Sequence, residues 1–405
     1  MSKQHRNFWL ASVMVFMGGI IFLLGSCTHD DQIVDEYIPT PTGPTVNDTK
    51  LISQKTTTPP TLDGVIDASW DDATKLVTTT TVPDPGQDVF KGYVGNSYVV
   101  TSCSMYDDQN IYFLAEWLDK DKSQERQSWY FDTETKRWKQ EDRNPTFDAN
   151  GVMIRPPFYE DKFAMLWNVN NSVANWDQST CYTSCHTGLS EADGKVRHYT
   201  NAPNERIDMW HWKSVRMDHH GQFDDQHQDD QYPNGRHGDP KDGGGYTNNK
   251  QELTITGTTE VVTVPKYFIP NRENYYWITQ DEIDAGTAKL ITAVDENGVL
   301  TYDGGTIDPN TDVEFQRRGM TVGSKAMPSI YTAPFQGNRG DILCASQYTG
   351  SGWIVEFSRK LDSGDTENVD VNFSSLEDQW FGIGVFDNAG IAHSIRPNLE
   401  LEFEK

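Results

Sequence analysis

The sequence predicts a mainly all-β protein, a β-sandwich, and three observations carry that expectation. Short runs rich in β-branched and aromatic residues recur from about residue 51 onward. Turn-forming clusters separate them, and no long stretch carries an apolar stripe of helical period. Many short strands with turns between them favour two packed sheets.

The elements follow in order. Ser97–Thr101 and Ile111–Trp117 flank Asp107-Asp108-Gln109-Asn110, which reads as a hairpin. Leu253–Thr256 and Val261–Val264 are β-branched runs. Leu290–Val294 and Val299–Tyr302 surround Asp295-Glu296-Asn297-Gly298, a second hairpin signal. Trp353–Phe357 and Trp380–Phe386 read as late strands. Residues 187–250 hold few aliphatics and many Gly, Asp and His, so they are expected to form a long irregular loop insertion. Asp63, Asp67, Asp71 and Asp72 read as turn and surface residues. No internal repeat of fixed period is present.

The 405 residues carry 34 Lys plus Arg against 60 Asp plus Glu, a formal charge of -26. Clustered cations are what phosphate binding requires, so nucleic acid is excluded as a partner. An acidic surface suits an extracytoplasmic protein that meets basic partners. The cysteine count is five, an odd number, which gives one cysteine a separate fate.

The N-terminus supplies that fate. Lys3 and Arg6 precede an uncharged apolar run from Phe8 to Leu24, and Leu24-Gly25-Ser26-Cys27 ends it. An apolar run closed by small residues marks a signal peptide, and cysteine at this place resembles the lipobox of bacterial lipoproteins. The resemblance implies cleavage before Cys27 and acylation of its thiol. A plain membrane-spanning anchor is the other reading of the run. Thr28 follows Cys27, whereas Asp there is the usual inner-membrane retention signal, so the expected place is the outer membrane. The expected organisation is residues 1–26 as signal peptide, 27–50 as a flexible Pro/Thr-rich tether, and 51–405 as one domain.

The strongest chemical signal is Cys181-Tyr182-Thr183-Ser184-Cys185-His186. Two thiols followed by His resemble the c-type haem attachment motif, with three intervening residues in place of the usual two. In that motif the thiols form thioethers with the haem vinyl groups and the imidazole ligates iron. A disulfide, or a structural zinc site, is the competing reading; zinc is disfavoured because no second Cys pair lies nearby. Cys103 and Cys344 leave a disulfide open as well. The run from Asp218-His219-His220 through His237 reads either as a solvated loop or as a divalent-ion site. Trp210-His211-Trp212-Lys213 reads as strand core or, beside a haem, as flat walls contributed by Trp210 and Trp212.

Further stretches extend the resemblance: Thr61–Trp70, Met105–Phe113, Tyr159–Asn168, Ile207–Lys213, Gly352–Leu361 and Phe381–Asn388. In this order they resemble the haem-binding domain family typified by the γ subunit of ethylbenzene dehydrogenase, over about residues 60–403. The resemblance implies a β-sandwich with haem at one end and an electron-transfer role. It also implies redox partner proteins, a separate molybdoenzyme subunit or other cytochromes. The γ subunits hold haem b between Met and Lys. Here Cys181, Cys185 and His186 occupy the region of that Met, so haem c with His186 as iron ligand is expected, ahead of haem b. Lys213 matches the Trp-x-Trp-Lys stretch of those subunits. In a strand, Met209, His211 and Lys213 share one face, and all three are candidates for the sixth ligand. No catalytic triad, phosphate loop, HExxH or paired catalytic carboxylate stands out. The alternative function is a surface carbohydrate-binding lipoprotein, which would have no use for the Cys181/Cys185/His186 motif.

Overall fold

Thirteen strands hydrogen-bond into one sheet that folds over on itself. In this computed structural model the described residues are 46–185, 198–316, 325 and 327–405. Cys27 and His186 lie outside them. In chain order the strands are β1 (Val46–Asn47), β2 (Lys50–Lys55), β3 (Lys75–Thr81), β4 (Ser97–Tyr106) and β5 (Asn110–Leu118). Then come β6 (Lys162–Asn168), β7 (Ile207–Lys213), β8 (Asp224–Gln228) and β9 (Arg236–Gly238). The last four are β10 (Leu343–Tyr348), β11 (Gly352–Lys360), β12 (Gln379–Phe386) and β13 (Ser394–Phe403).

The spatial order is β9-β8-β7-β6-β12-β13-β2-β4-β5-β11-β10, with β3 paired to β1, β4 and β13. The pairing of β2 with β13 and with β4 is parallel. Where the sheet turns back, Phe223 N donates to the Ile342 carbonyl (3.0 Å) and Cys344 N to the Gly221 carbonyl (2.8 Å). This joins the start of β8 to β10 and closes the sandwich along that side. The mainly β class is the one the sequence predicts. Among the described residues the α-helices are two single turns, α1 (Trp176–Ser179) and α2 (Gln280–Asp284).

Alternation along each strand explains what fills the sandwich. Phe163, Met165 and Trp167 of β6 meet Trp210 and Trp212 of β7, Phe113 and Trp117 of β5, and Phe357 of β11. Trp167 stacks on Phe381 at 4.8 Å, Phe113 on Phe357 at 5.1 Å and Trp117 on Phe163 at 5.6 Å. Each buried aromatic contributes about 2–3 kcal/mol through area, and each pair about 1 kcal/mol more. A second cluster, built on Trp129, Phe131, Trp138, Ile291, Leu300 and Phe315, supports the small hairpins inserted between the main strands.

Two expectations change. Of the expected irregular insertion at 187–250, the described part, 198–250, is not irregular: β7, β8, β9 and a further strand at Gly243–Asn248 run through it. β8, β9 and the strand at Gly243–Asn248 lack the apolar alternation of a strand because they are built largely from Asp, Gln, His and Gly. The expected tether also ends early, since Val46–Asn47 pairs with Lys75 and Leu76 of β3.

Candidate functional site

The outer face of β12, β6, β7 and β8 carries a cavity of about 410 Å³, within the size range of small-molecule and cofactor sites. Strand register sets its floor. Gly382, Leu166, Met209 and Gln226 lie in one row; Gly384, Ala164, His211 and Asp224 in the next; Phe386, Lys162 and Lys213 in a third. Glycine and alanine at the centre leave the hollow. A Cβ on Gly382 would stand 2.3 Å from Cys181 Sγ, and one on Gly384 3.2 Å from the His393 ring.

The two motif cysteines reach this cavity from the chain after α1. Cys185 N donates to the Cys181 carbonyl (3.2 Å), closing one turn, so the wider spacing still brings both residues to the cavity wall. Thr180 and Asn398 pin that turn to β13 by two hydrogen bonds, 3.1 and 3.0 Å. They hold Thr180 at φ 31°, a strained backbone for a β-branched residue. Burial pushes the Cys181 thiol up to about 12. Cys185 Sγ accepts from Gln228 Nε2 at 3.0 Å. Neither cysteine is in a disulfide.

Met209, His211 and Lys213 all line the cavity, as the strand parity required. Met209 sits among Leu166, Cys181, Ile207 and Ile395. His211 is buried; its Nδ1 accepts from Arg236 Nη2 (2.9 Å), and its Nε2 has no hydrogen-bond partner. Burial, and then the cations Lys213 and Arg236, hold its pKa well below the usual imidazole value. Lys213 Nζ donates to Asp224 Oδ2. Asp224 also accepts from Arg339 Nε (2.6 Å) and the Tyr246 hydroxyl (2.9 Å). Burial pulls the ammonium of Lys213 down, against the attraction of Asp224. Burial opposes ionisation of Asp224 too, yet Lys213 and Arg339 together hold its carboxyl far below the ordinary range.

Three donors in the cavity wall carry no sequence signal. Lys162, opposite Lys213 in the register, donates to the Gly390 carbonyl (3.1 Å) and lies 4.0 Å over the Phe386 ring. His393 stacks on Phe386 at 4.2 Å, its Nδ1 2.7 Å from the Ile391 carbonyl. His198 lies in the wall too, and burial lowers its pKa to about 4. Strand register places Lys162, whereas His198 and His393 lie outside strands. Soft sulfur and neutral nitrogen donors around a partly apolar hollow suit a transition metal carried in an organic ring.

Other candidates fall elsewhere. Trp210 and Trp212 are not cavity walls: they alternate with the donors of β7 and lie in the sandwich core. His219 and His220 do not hang in a solvated loop. Both reach the Thr332 hydroxyl, at 2.8 and 3.0 Å, and His219 stacks on Trp277 at 4.2 Å. Among the described residues no metal-type grouping includes them. Cys103 and Cys344 are both free. They sit on β4 and β10 with β5 and β11 between, too far apart to bridge. Asp67 caps the turn at Ala68–Trp70, and Asp63 accepts from Val65 N (2.9 Å), the turn roles expected of them.

A family profile described as "Ethylbenzene dehydrogenase" matches residues 67–397. No curated protein matches the chain. Among solved structures, a carbohydrate binding module family 9 from Caldicellulosiruptor kristjanssonii in complex with cellotriose aligns with 88% of this chain and 93% of its own, at 10% identity and TM-score 0.29. The same kind of module in complex with glucose aligns over 88% and 95%, at 10% identity and TM-score 0.27.

Proposed function

Because this chain belongs to the ethylbenzene dehydrogenase family, we propose that it is an electron-transfer protein that holds one haem in the cavity over β6, β7 and β12. The observation that carries this reading is convergence. Two thiols 4 positions apart and the three donors of β7 line one hollow whose floor includes Gly384 and Ala164.

Cys181 and Cys185 would hold the group by thioethers, and His186, outside the described residues, would be an iron ligand. Lys213, His211 and Met209 are the candidates for a second iron ligand. Bound there, haem supplies reversible one-electron chemistry. The chain's own residues do the rest. Leu166 and Ile395 exclude water, while Arg143 and Arg236 would offer positive charge to the group's carboxylates. Burial and hydrogen bonding around such a site set its potential. The partners are other redox proteins, a molybdoenzyme or cytochromes among them. Acylation at Cys27 places the protein on the outer membrane.

The test is a haem stain on a denaturing gel with a pyridine haemochrome spectrum. The wild type should keep haem through denaturation, and Cys181→Ala/Cys185→Ala should carry no covalent haem. Complete extraction of haem from the wild type by acid-acetone would instead make the site a haem b site, and absence of haem altogether would refute the reading.

A further inference from the structure

Five carboxylates crowd around one guanidinium at the end of the sandwich interior. Arg359 of β11 has no exposed side-chain surface. Its Nη1 stands 3.2 Å from Asp208 Oδ2, and its Nη2 donates to the Val371 carbonyl. Asp225 and Asp370 are farther from Nη1, at 3.7 and 3.9 Å, beyond hydrogen-bonding range. Asp239 and Asp341 complete the set, Asp239 beside Asp370 and Asp341 beside Asp225.

One guanidinium is shared among these carboxylates, and several of their buried oxygens have no hydrogen-bond donor. Asp225 Oδ2, Asp239 Oδ2 and Asp370 Oδ2 are all buried and unpartnered. Asp225 has no exposed surface, Asp239 2% and Asp370 5%. Their second oxygens are engaged: Gln226 N donates to Asp225 (3.0 Å), His227 Nδ1 lies 2.5 Å from Asp239, and Asn338 Nδ2 donates to Asp370 (3.4 Å). Buried charge of one sign without a counter-charge is strongly unfavourable. One ligand oxygen from each of Asp225, Asp239 and Asp370 falls within 4.8 Å of the others. Oxygens on opposite sides of a calcium ion are about 4.6–5.2 Å apart.

We propose that Asp225, Asp239 and Asp370, with Asp341 as a fourth donor, bind one calcium ion that ties β8, the chain after β9, the segment before β10 and the β11–β12 connection together. Oxygen-only donors of this kind select a hard cation. Four carboxylates drawn from four separate segments suit the adaptable coordination of calcium better than the strict octahedron of magnesium. A solvent-open cleft lined by Asn338, Asp341, Asp365 and Glu367 touches the set at Asp341. A second trio, Asp119, Asp161 and Asp387, also converges. Its oxygens are largely taken, since Asp161 accepts from Ser123 N, Asn388 N and the Trp353 indole, and Asp387 from the Tyr98 hydroxyl. This inference is independent of what fills the cavity on the opposite face of β8.

The experiment is calcium titration of the purified full-length protein after chelation, by calorimetry and by thermal unfolding with calcium, magnesium or EGTA. One calcium per chain should bind, and calcium should raise the melting temperature more than magnesium does at equal concentration. Asp370→Asn and Asp225→Asn should each weaken calcium binding at least tenfold. Each should also melt higher than the wild type in EGTA, because an uncompensated charge is gone. Asp119→Asn should bind calcium as the wild type does. The proposal fails if the wild type binds no calcium, if both cluster variants bind it undiminished, or if Asp119→Asn alone loses it. Equal destabilisation of the cluster variants with and without calcium would also overturn it, by showing a purely structural role.

Discussion

Arg236 donates a hydrogen bond from Nη2 to Nδ1 of His211 across 2.9 Å. A guanidinium has no acceptor, so Nδ1 holds the lone pair and a neutral His211 carries its proton on Nε2. A protonated nitrogen does not ligate iron. The contact therefore counts against His211 as sixth ligand and leaves Met209, with Lys213 available only once its ammonium gives up the proton it donates to Asp224. Replacement of His211 by Ala should leave a six-coordinate ferric spectrum, with the near-infrared charge-transfer band in place. Lys213→Ala or Met209→Ala should move that band. A switch to high spin in His211→Ala alone would reverse the ranking.

Close packing at Gly382 gives a second prediction. A methyl group there would press on Cys181 Sγ at 2.3 Å, whereas at Gly384 it would meet the edge of His393 at 3.2 Å and the Ser394 carbonyl oxygen at 3.3 Å. Overpacking of this kind costs about 1–3 kcal/mol. Gly382→Ala should lower the unfolding midpoint and the yield of covalently attached haem. Gly384→Ala should do less of both, and equal effects would show that the contact with Cys181 is unimportant.

Asp119 predicts a pH dependence. Burial, then the neighbouring Asp387, raises its pKa to about 7, against about 3.9 in an unfolded chain. The folded state therefore binds more protons between those values, and stability must fall as pH rises from about 4 towards 7. Asp119→Asn removes that titration. Its unfolding midpoint should lose less than the wild type's over the same interval. Parallel pH curves for the two proteins would contradict the assignment.

The anchor is tested directly. Cys27→Ser should move the protein from the membrane fraction to the soluble fraction, because acyl chains contribute about 0.8 kcal/mol per buried CH₂. Membrane association that survives the substitution would point to the apolar run Phe8–Leu24 as a spanning anchor.

The parts of the fold that read directly from sequence are those where side-chain chemistry alternates with the strand. The 97–117 and 290–302 hairpins form where turn residues separate β-branched runs. Strand β7 shows the limit. All seven of its residues are buried, so parity grouped Met209, His211 and Lys213 correctly but did not tell which face meets the core. For that reason Trp210 and Trp212 read either as strand core or as haem walls, and the structure places them in the core. Strand β8, Asp-Asp-Gln-His-Gln, has no apolar residue at all. Its burial rests on Arg339, Lys213 and Arg359, partners far away in the chain. Lys162, across the cavity from Cys181, was equally out of reach without the strand register.

Because Met209, His211 and Lys213 occupy alternate positions of one paired strand, their backbones are anchored about 7 Å apart. The strand acts as a ruler with three marks. A haem tied at Cys181 and Cys185 would meet one mark, and exchange of one donor for the next would require the whole group to slide along the sheet. Thioethers at Cys181 and Cys185 would forbid that slide, so the donor would stay the same in both oxidation states.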